Sequence, residues 1–307
     1  MKTIGLFFAF LALLMVSCQK DTHQLILTEP RMLVQECRFT EGPSVDSRGV
    51  LYFSDGPNNR IMRLTPDGEI SVHLQPSGRA NGTAVDHEDR LVMCQSHGEG
   101  GGRRIARLEH DGTITVLADS FRGAPFIGPN DLTIDRKGRI YFTDPYYGPP
   151  AEKSQPVSGV YRIDRPGQVV MVIDSLQRPN GIILTPDNKA LYVSDRGTQR
   201  LHRYRVLENG DLEHERIVYD FSPDRGIDGM ALDVQGHIYG AAGKDSTSGV
   251  YVLSPQGDLL QIVKVEGLAT NVTFGGPDRK QLFLTAESRL YGFTTHFQGI
   301  ELPVTKK

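Results

Sequence analysis

Six short polar segments of this chain carry the residue types from which a metal-assisted hydrolytic site is built. They centre on Glu41, Asn81, Asn130, Asn180, Asp228 and Asn271, spaced 40, 49, 50, 48 and 43 residues apart. Each head offers a side-chain oxygen and stands just ahead of an apolar run. Carboxylate and amide oxygens, with no cysteine or histidine at equivalent positions, suit a hard cation. Calcium takes several oxygens in loose geometry and fits this set; zinc or copper would call for nitrogen or sulfur. Glu41 and Asp228 supply charge, and the four amides add oxygens without adding repulsion. Taken singly, a head also reads as a turn residue, because Asn-Gly and Asp-Gly are common turn dipeptides. Six in register favour a shared central site, since a turn does not require its polar residue to precede every apolar strand.

The elements that must position these heads are a repeated strand–turn–strand. GPNDLTIDRKGRIYFTDPYYG, from Gly128 to Gly148, shows the unit most fully. Variants begin at Glu41 (EGPSVDSRGVLYFSD), Asn81, Asn180 (NGIILTPDNKALYVSD) and Asp228, and a looser one at Asn271. Repeats in the forties, each a small sheet, predict an all-β fold, a six-bladed β-propeller over residues 25–307. The 33 glycines and 18 prolines between short apolar runs agree with turn-dense β structure. The sixth repeat is one strand short after Gln281–Ala286 and Arg289–Thr294. An N-terminal strand near Met32–Cys37 is expected to complete that blade, closing the ring and covering an open edge.

In such a ring the inner strands start at one rim and the second strands return to it. The heads therefore share a rim with the connections Asp55–Asn59, Gln95–Arg103, Asp144–Ser158, Asp195–Gln199, Gly243–Ser248 and Glu287–Ser288. Tight turns such as Asp46–Gly49, Arg136–Gly138 and Pro186–Asn188 go to the opposite rim. Function is expected on the head-bearing side, where loops vary above a rigid scaffold. His97 lies in one of its connections. Tyr146 and Tyr147 lie in the longest and are placed to stack on a sugar face or to pack that loop. Arg196 and Lys244 share that rim and read as solvated charges, or as groups that attract an anionic product; His202 and His237 read as structural.

At the N-terminus, Met1 and Lys2 precede an apolar run from Ile4 to Val16 that ends at Ser17-Cys18. This predicts a secretory leader over 1–17, lipidation at Cys18 and a polar tether over 18–24. The expected product is an exported bacterial protein, periplasmic or held at the cell envelope by lipid alone. Cys37 and Cys94 are too few for a disulfide framework and read as small buried hydrophobes. A formal net charge of −3 gives no reason to expect a nucleic-acid partner.

EGP at Glu41, PND around Asn130, RPNG around Asn180, DGM at Asp228 and TNVTFGG with LFLTA near the end resemble the gluconolactonase family, which includes regucalcin. FTDPYYG and RRIARLEHDGTITVLAD are closest to its bacterial gluconolactonases. The resemblance covers nearly all of the chain after about Arg38 and implies one divalent metal, usually calcium, on the propeller axis. It implies Glu41, Asn130, Asn180 and Asp228 as metal ligands, with Asn81, Asn130, Asn271 and Tyr147 lining the cavity towards substrate. The implied reaction opens a small-molecule sugar lactone such as gluconolactone. Asp228 is then the candidate base, or a ligand only. His97, similar to a recurrent histidine of the bacterial members, is a candidate acid or base. Regucalcin-like members carry arginine two places before the third head, where this chain has Gly128, so their substrate contacts do not carry over. The same oxygens would also serve a phosphotriesterase or arylesterase, or a propeller that only binds ligands.

Overall fold

A computed structural model describes residues 24–147 and 154–300. Six four-stranded antiparallel sheets follow one another along the chain. Blade 1 comprises Thr40–Val45, Leu51–Asp55, Arg60–Leu64 and Ile70–Leu74; blade 2, Ala80–Val85, Leu91–Gln95, Arg104–Leu108 and Ile114–Ala118. Blade 3 comprises Leu132–Ile134, Ile140–Asp144, Gly159–Arg165 and Gln168–Ile173; blade 4, Pro179–Leu184, Ala190–Asp195, Arg200–Val206 and Leu212–Asp220. Blade 5 comprises Met230–Leu232, Ile238–Ala242, Gly249–Leu253 and Leu259–Lys264. Blade 6 is built from Ala269–Gly275, Gln281–Ala286 and Arg289–Thr294, with Arg31–Val34 as its fourth strand.

The second strands, such as LYFSD, IYFTD and ALYVSD, are buried along their whole length because a neighbouring blade covers each face. That is why they lack polar–apolar alternation. The outermost strands face solvent on one side and alternate, as in Leu259–Lys264. The hydrophobic core is accordingly divided among the gaps between blades. In one, Phe126, Phe142 and Tyr161 stack edge and face beside Ile105. Each fully buried side chain of this kind contributes roughly 1.5–3 kcal/mol.

The ring closes as the short sixth repeat requires. Arg31–Val34 pairs antiparallel with Arg289–Thr294, overlapping the segment near Met32–Cys37 expected from the sequence. A second clasp was not expected. Gln261 of blade 5 accepts the backbone N–H groups of Leu25 and Ile26 at 2.8 and 2.9 Å. On the other side, Ile300 N–H donates to Leu232 O. Both ends of the described residues therefore brace blades 5 and 6. The leader and Cys18 lie outside the described residues. Cys37 and Cys94 do not pair; Cys94 is fully buried, and burial pushes the Cys37 thiol up to about 12.

Candidate active site

The heads owe their places to three local devices. Carboxylates ending the second strands grip the backbone just ahead of their own blade's head. Asp144 accepts N–H groups from Ile127 and Gly128 at 2.9 and 2.7 Å, Asp195 from Gln177 and Arg178, and Asp55 from Arg38 and Phe39. Hydroxyls one residue earlier reach the next blade: Ser54 donates to Asn81 O at 2.9 Å and Thr143 to Asn180 O at 2.8 Å. Cys94 stands at the corresponding place in blade 2.

The third device is glycine after the head. A Cβ on Gly181 would lie 2.0 Å from Asp228 O, and one on Gly82 would lie 2.6 Å from Asn130 O. Gly229 packs against the amide of Asn271 in the same way. These glycines do not make turns. They let the inner strands of neighbouring blades approach at the axis, which removes the turn reading of the head-glycine pairs.

Five of the six heads leave a side-chain oxygen without a hydrogen bond among the described residues. Glu41 uses Oε2 for Gly42 N–H and the Asn271 amide, leaving Oε1. Asn180 donates from Nδ2 to the Tyr147 hydroxyl at 2.6 Å, leaving Oδ1. Asp228 engages only Oδ2 with side chains. Asn81 Oδ1 is buried with no partner, and the Asn130 side chain makes no hydrogen bond within the described residues. Asn271 differs: Oδ1 accepts Val272 N–H at 2.8 Å while Nδ2 holds Glu41 at 3.3 Å, so it positions a neighbour.

The charged groups are drawn together from separate blades. Burial, and after it the charges of Asp228 and Asp131, push the Glu41 carboxyl well above the usual range. Asp131 is raised to about 7, chiefly by burial, with Asp228 adding to it. Asp131 occupies the place that glycine holds after four of the other heads, and valine after Asn271. Two guanidiniums meet Asp228 Oδ2: Arg225, and Arg196 at 3.2 Å. Arg225 is buried and also donates to Ala269 O at 2.6 Å. The reading of Arg196 as a solvated rim charge is corrected here. Its side chain is only 18% exposed because it lies against blade 5's carboxylate. Arg225 was missed; its one sequence signal is its place three residues before a head.

Tyr147 reaches the same spot. Besides its bond with Asn180, its ring lies under the Arg178 guanidinium, 5.2 Å from the centroid. Burial and then Asp228 raise its hydroxyl to about 12. His97 is half-buried on the rim, and a Cβ on Gly128 would lie 2.6 Å from its Nδ1. The missing side chain at position 128 is thus what admits the imidazole beside the third head. Burial first, then Arg103 and Arg79, lower the His97 pKa. His237 pairs with Asp233 at the opposite rim and His202 with His214 on blade 4, away from the heads, as their strand context predicted.

A six-bladed ring whose buried acids from separate blades act on one another, with head oxygens left unmatched, is a propeller with a charged site among its heads. Residues 39–288 match the SMP-30/Gluconolactonase/LRE-like region. The chain is 30% identical over 267 residues to a gluconolactonase of Zymomonas mobilis, spanning 78% of this chain and 73% of that protein. A lactonase of Staphylococcus aureus is 28% identical over 224 residues, 70% of this chain and 67% of that one. A gluconolactonase structure from Xanthomonas campestris superposes with a TM-score of 0.79 at 30% identity, covering 88% of this chain and 91% of its own. A calcium-binding regucalcin from Agrobacterium tumefaciens shares the fold, with a TM-score of 0.75 at 19% identity over 92% and 100% of the two chains. The chain belongs to the SMP-30/gluconolactonase/LRE-like family, as the resemblance implied, and its enzyme class is that of the lactonases.

Proposed function

We propose that this protein hydrolyses sugar lactones of the gluconolactone type with a divalent cation, calcium by the nature of the donors, held among the heads. The observation that carries the reading is the set of five heads, each with an oxygen free of protein hydrogen bonds. A buried acceptor left unmatched costs about 1–3 kcal/mol, so a bound partner is expected to meet Asn81 Oδ1 and its neighbours. Among the described residues no three histidine, cysteine, aspartate or glutamate side chains cluster closely enough to hold a metal. A cation here therefore depends on asparagine oxygens, which calcium accepts and zinc does not favour. Glu41, Asn130, Asn180 and Asp228 would hold it. When bound, it would supply Lewis-acid polarisation of the lactone carbonyl and charge opposite the developing oxyanion.

The protein's own groups do the rest. Water attacks the carbonyl carbon and the ring C–O bond breaks. The water proton passes to Asp228 Oδ1, and a proton returns to the departing ring oxygen, giving a hydroxy acid. Arg225 and Arg196 fix the Asp228 carboxylate through Oδ2, which leaves Oδ1 in a set orientation for that transfer. Asn271 does the same for Glu41. His97, its pKa lowered by burial and by Arg103 and Arg79, is suited to hydrogen-bond a sugar hydroxyl. Asn81 and Tyr147 complete the wall that substrate meets.

The test is hydrolysis of a panel of aldonolactones and aryl esters, with chelator and with each divalent ion restored. Chelator-sensitive lactone opening that calcium restores is the expected result. Turnover of aryl esters alone would move the site to an esterase. Export and lipid anchoring belong to the same proposal; Cys18→Ser is expected to shift the protein from the membrane fraction to the soluble one.

A further inference from the structure

The head-bearing rim carries more positive charge than a neutral sugar lactone needs. Asp228 faces two guanidiniums, Arg225, which also lies near Glu41, and Arg196. Arg196 Nε is buried and has no hydrogen-bond partner among the described residues. Arg178, itself exposed, lies over Tyr147 and pairs with no carboxylate among the described residues. Arg79 and Arg103 are half-buried beside His97; neither forms an ion pair among the described residues, although Arg103 lies close enough to act on the Asp144 carboxyl. Arg79 Nε lies 3.1 Å from where a Gly98 Cβ would be, so its guanidinium rests on that connection and does not extend into solvent.

The Tyr147 hydroxyl marks where two of these charges, Arg178 and Arg196, meet. It bonds Asn180 and feels Asp228, Arg196 and Arg178 together. Like charges partly removed from water are unfavourable unless an anion joins them. The carboxylate formed by ring opening accounts for one such charge, at the carbonyl end of the substrate. It does not account for Arg178, Arg196, Arg79 and Arg103 together.

We infer that the preferred lactone carries a permanent anionic substituent, a carboxylate or a phosphate ester, distal to the carbonyl. Arg178 and Arg196 hold it beside Tyr147, and Arg79 and Arg103 raise its local concentration at the mouth. This rests on the lactonase reading and names its substrate class. Arginine is the residue suited to the task, because its planar fork binds either group through paired hydrogen bonds.

The experiment compares kcat/KM on glucono-1,5-lactone, its 6-phosphate and a glucarolactone bearing a free carboxylate, with the full chain and calcium present. The expected result is a preference of about tenfold or more for at least one anionic lactone, carried by KM, falling as salt rises from about 50 to about 500 mM. The two anionic arms separate carboxylate from phosphate. Arg178→Gln is expected to collapse the ratio and Arg178→Lys to restore part of it. As a readout without turnover, glucarate is expected to raise the melting temperature more than gluconate. Opening of the neutral lactone with a ratio near or below one overturns this inference alone. No opening of any lactone overturns the lactonase reading and this inference with it.

Discussion

The two rims of the propeller use the same residue types to opposite ends. At the turn-bearing rim, each inner strand of blades 1, 2, 3 and 5 is followed by an aspartate whose hydrogen-bond partners lie within six residues of it. Asp135 Oδ1 accepts Lys137 and Arg139 N–H groups at 2.8 and 2.9 Å, while Arg139 Nε covers Oδ2 at 2.6 Å. Asp46, Asp86 and Asp233 repeat the arrangement. At the head-bearing rim local partners such as Gly42 and Arg225 are joined by others from distant blades, and the set does not close. Asn271 holds Glu41 across 230 residues, Arg196 reaches Asp228 across 32, and head oxygens stay free. A carboxylate satisfied by its own turn is structural; one held by distant groups, with an oxygen left over, is available to a ligand.

Substitution at both rims gives the sharpest contrast. Glu41→Gln and Asp228→Asn are expected to lower kcat on the lactone about 1,000-fold or more, with the circular dichroism spectrum kept. Asp135→Asn is expected to leave kcat near wild type and lower the melting temperature, since it disturbs hydrogen bonds worth about 1–3 kcal/mol. Equal losses of kcat at both rims would erase the distinction.

Cation removal comes next. Chelation is expected to stop turnover, and calcium at about 100 times its dissociation constant to stabilise the wild-type fold by about 2.7 kcal/mol. That increment should vanish in Glu41→Gln and persist in Asp135→Asn when measured by thermal unfolding.

Glycines give a similar contrast. Gly181→Ala would drive a methyl into Asp228 O and is expected to cost about 1–3 kcal/mol and part of the activity. Gly138, in a turn with φ +82° and open space around it, is expected to cost about 1 kcal/mol on replacement by alanine, with activity intact. Denaturant midpoints and kcat together separate the two.

The smallest effect concerns Asp144, which burial raises to about 7 despite the N–H groups of Ile127 and Gly128 and the nearby Arg103. The folded state then binds this proton more tightly than the unfolded chain. Its stabilising contribution is complete below about pH 4 and is lost as pH rises towards 7. The stability difference between wild type and Asp144→Asn should change across that window by a few kcal/mol at most, read by unfolding at fixed pH values. A flat difference would show that Asp144 is ionised throughout.

Much of this was legible in the chain because a propeller repeats itself locally. Head, apolar strand, tight turn and second strand each span a few consecutive residues, so their period fixes the number of blades and the rim on which the heads stand. The shortfall in the sixth repeat also called for the N-terminal strand. By contrast, the sequence could not separate Asn271, whose amide is consumed in holding Glu41, from Asn180, whose oxygen stays free. Nor could it show that Gly128 makes room for His97, or that Arg196 and Arg225 converge on one carboxylate. Periodicity is a property of neighbouring residues, and the sequence alone determines it. Which donor meets which acceptor around the axis is set by contacts between segments far apart in the chain, and only their packing into a closed ring decides it.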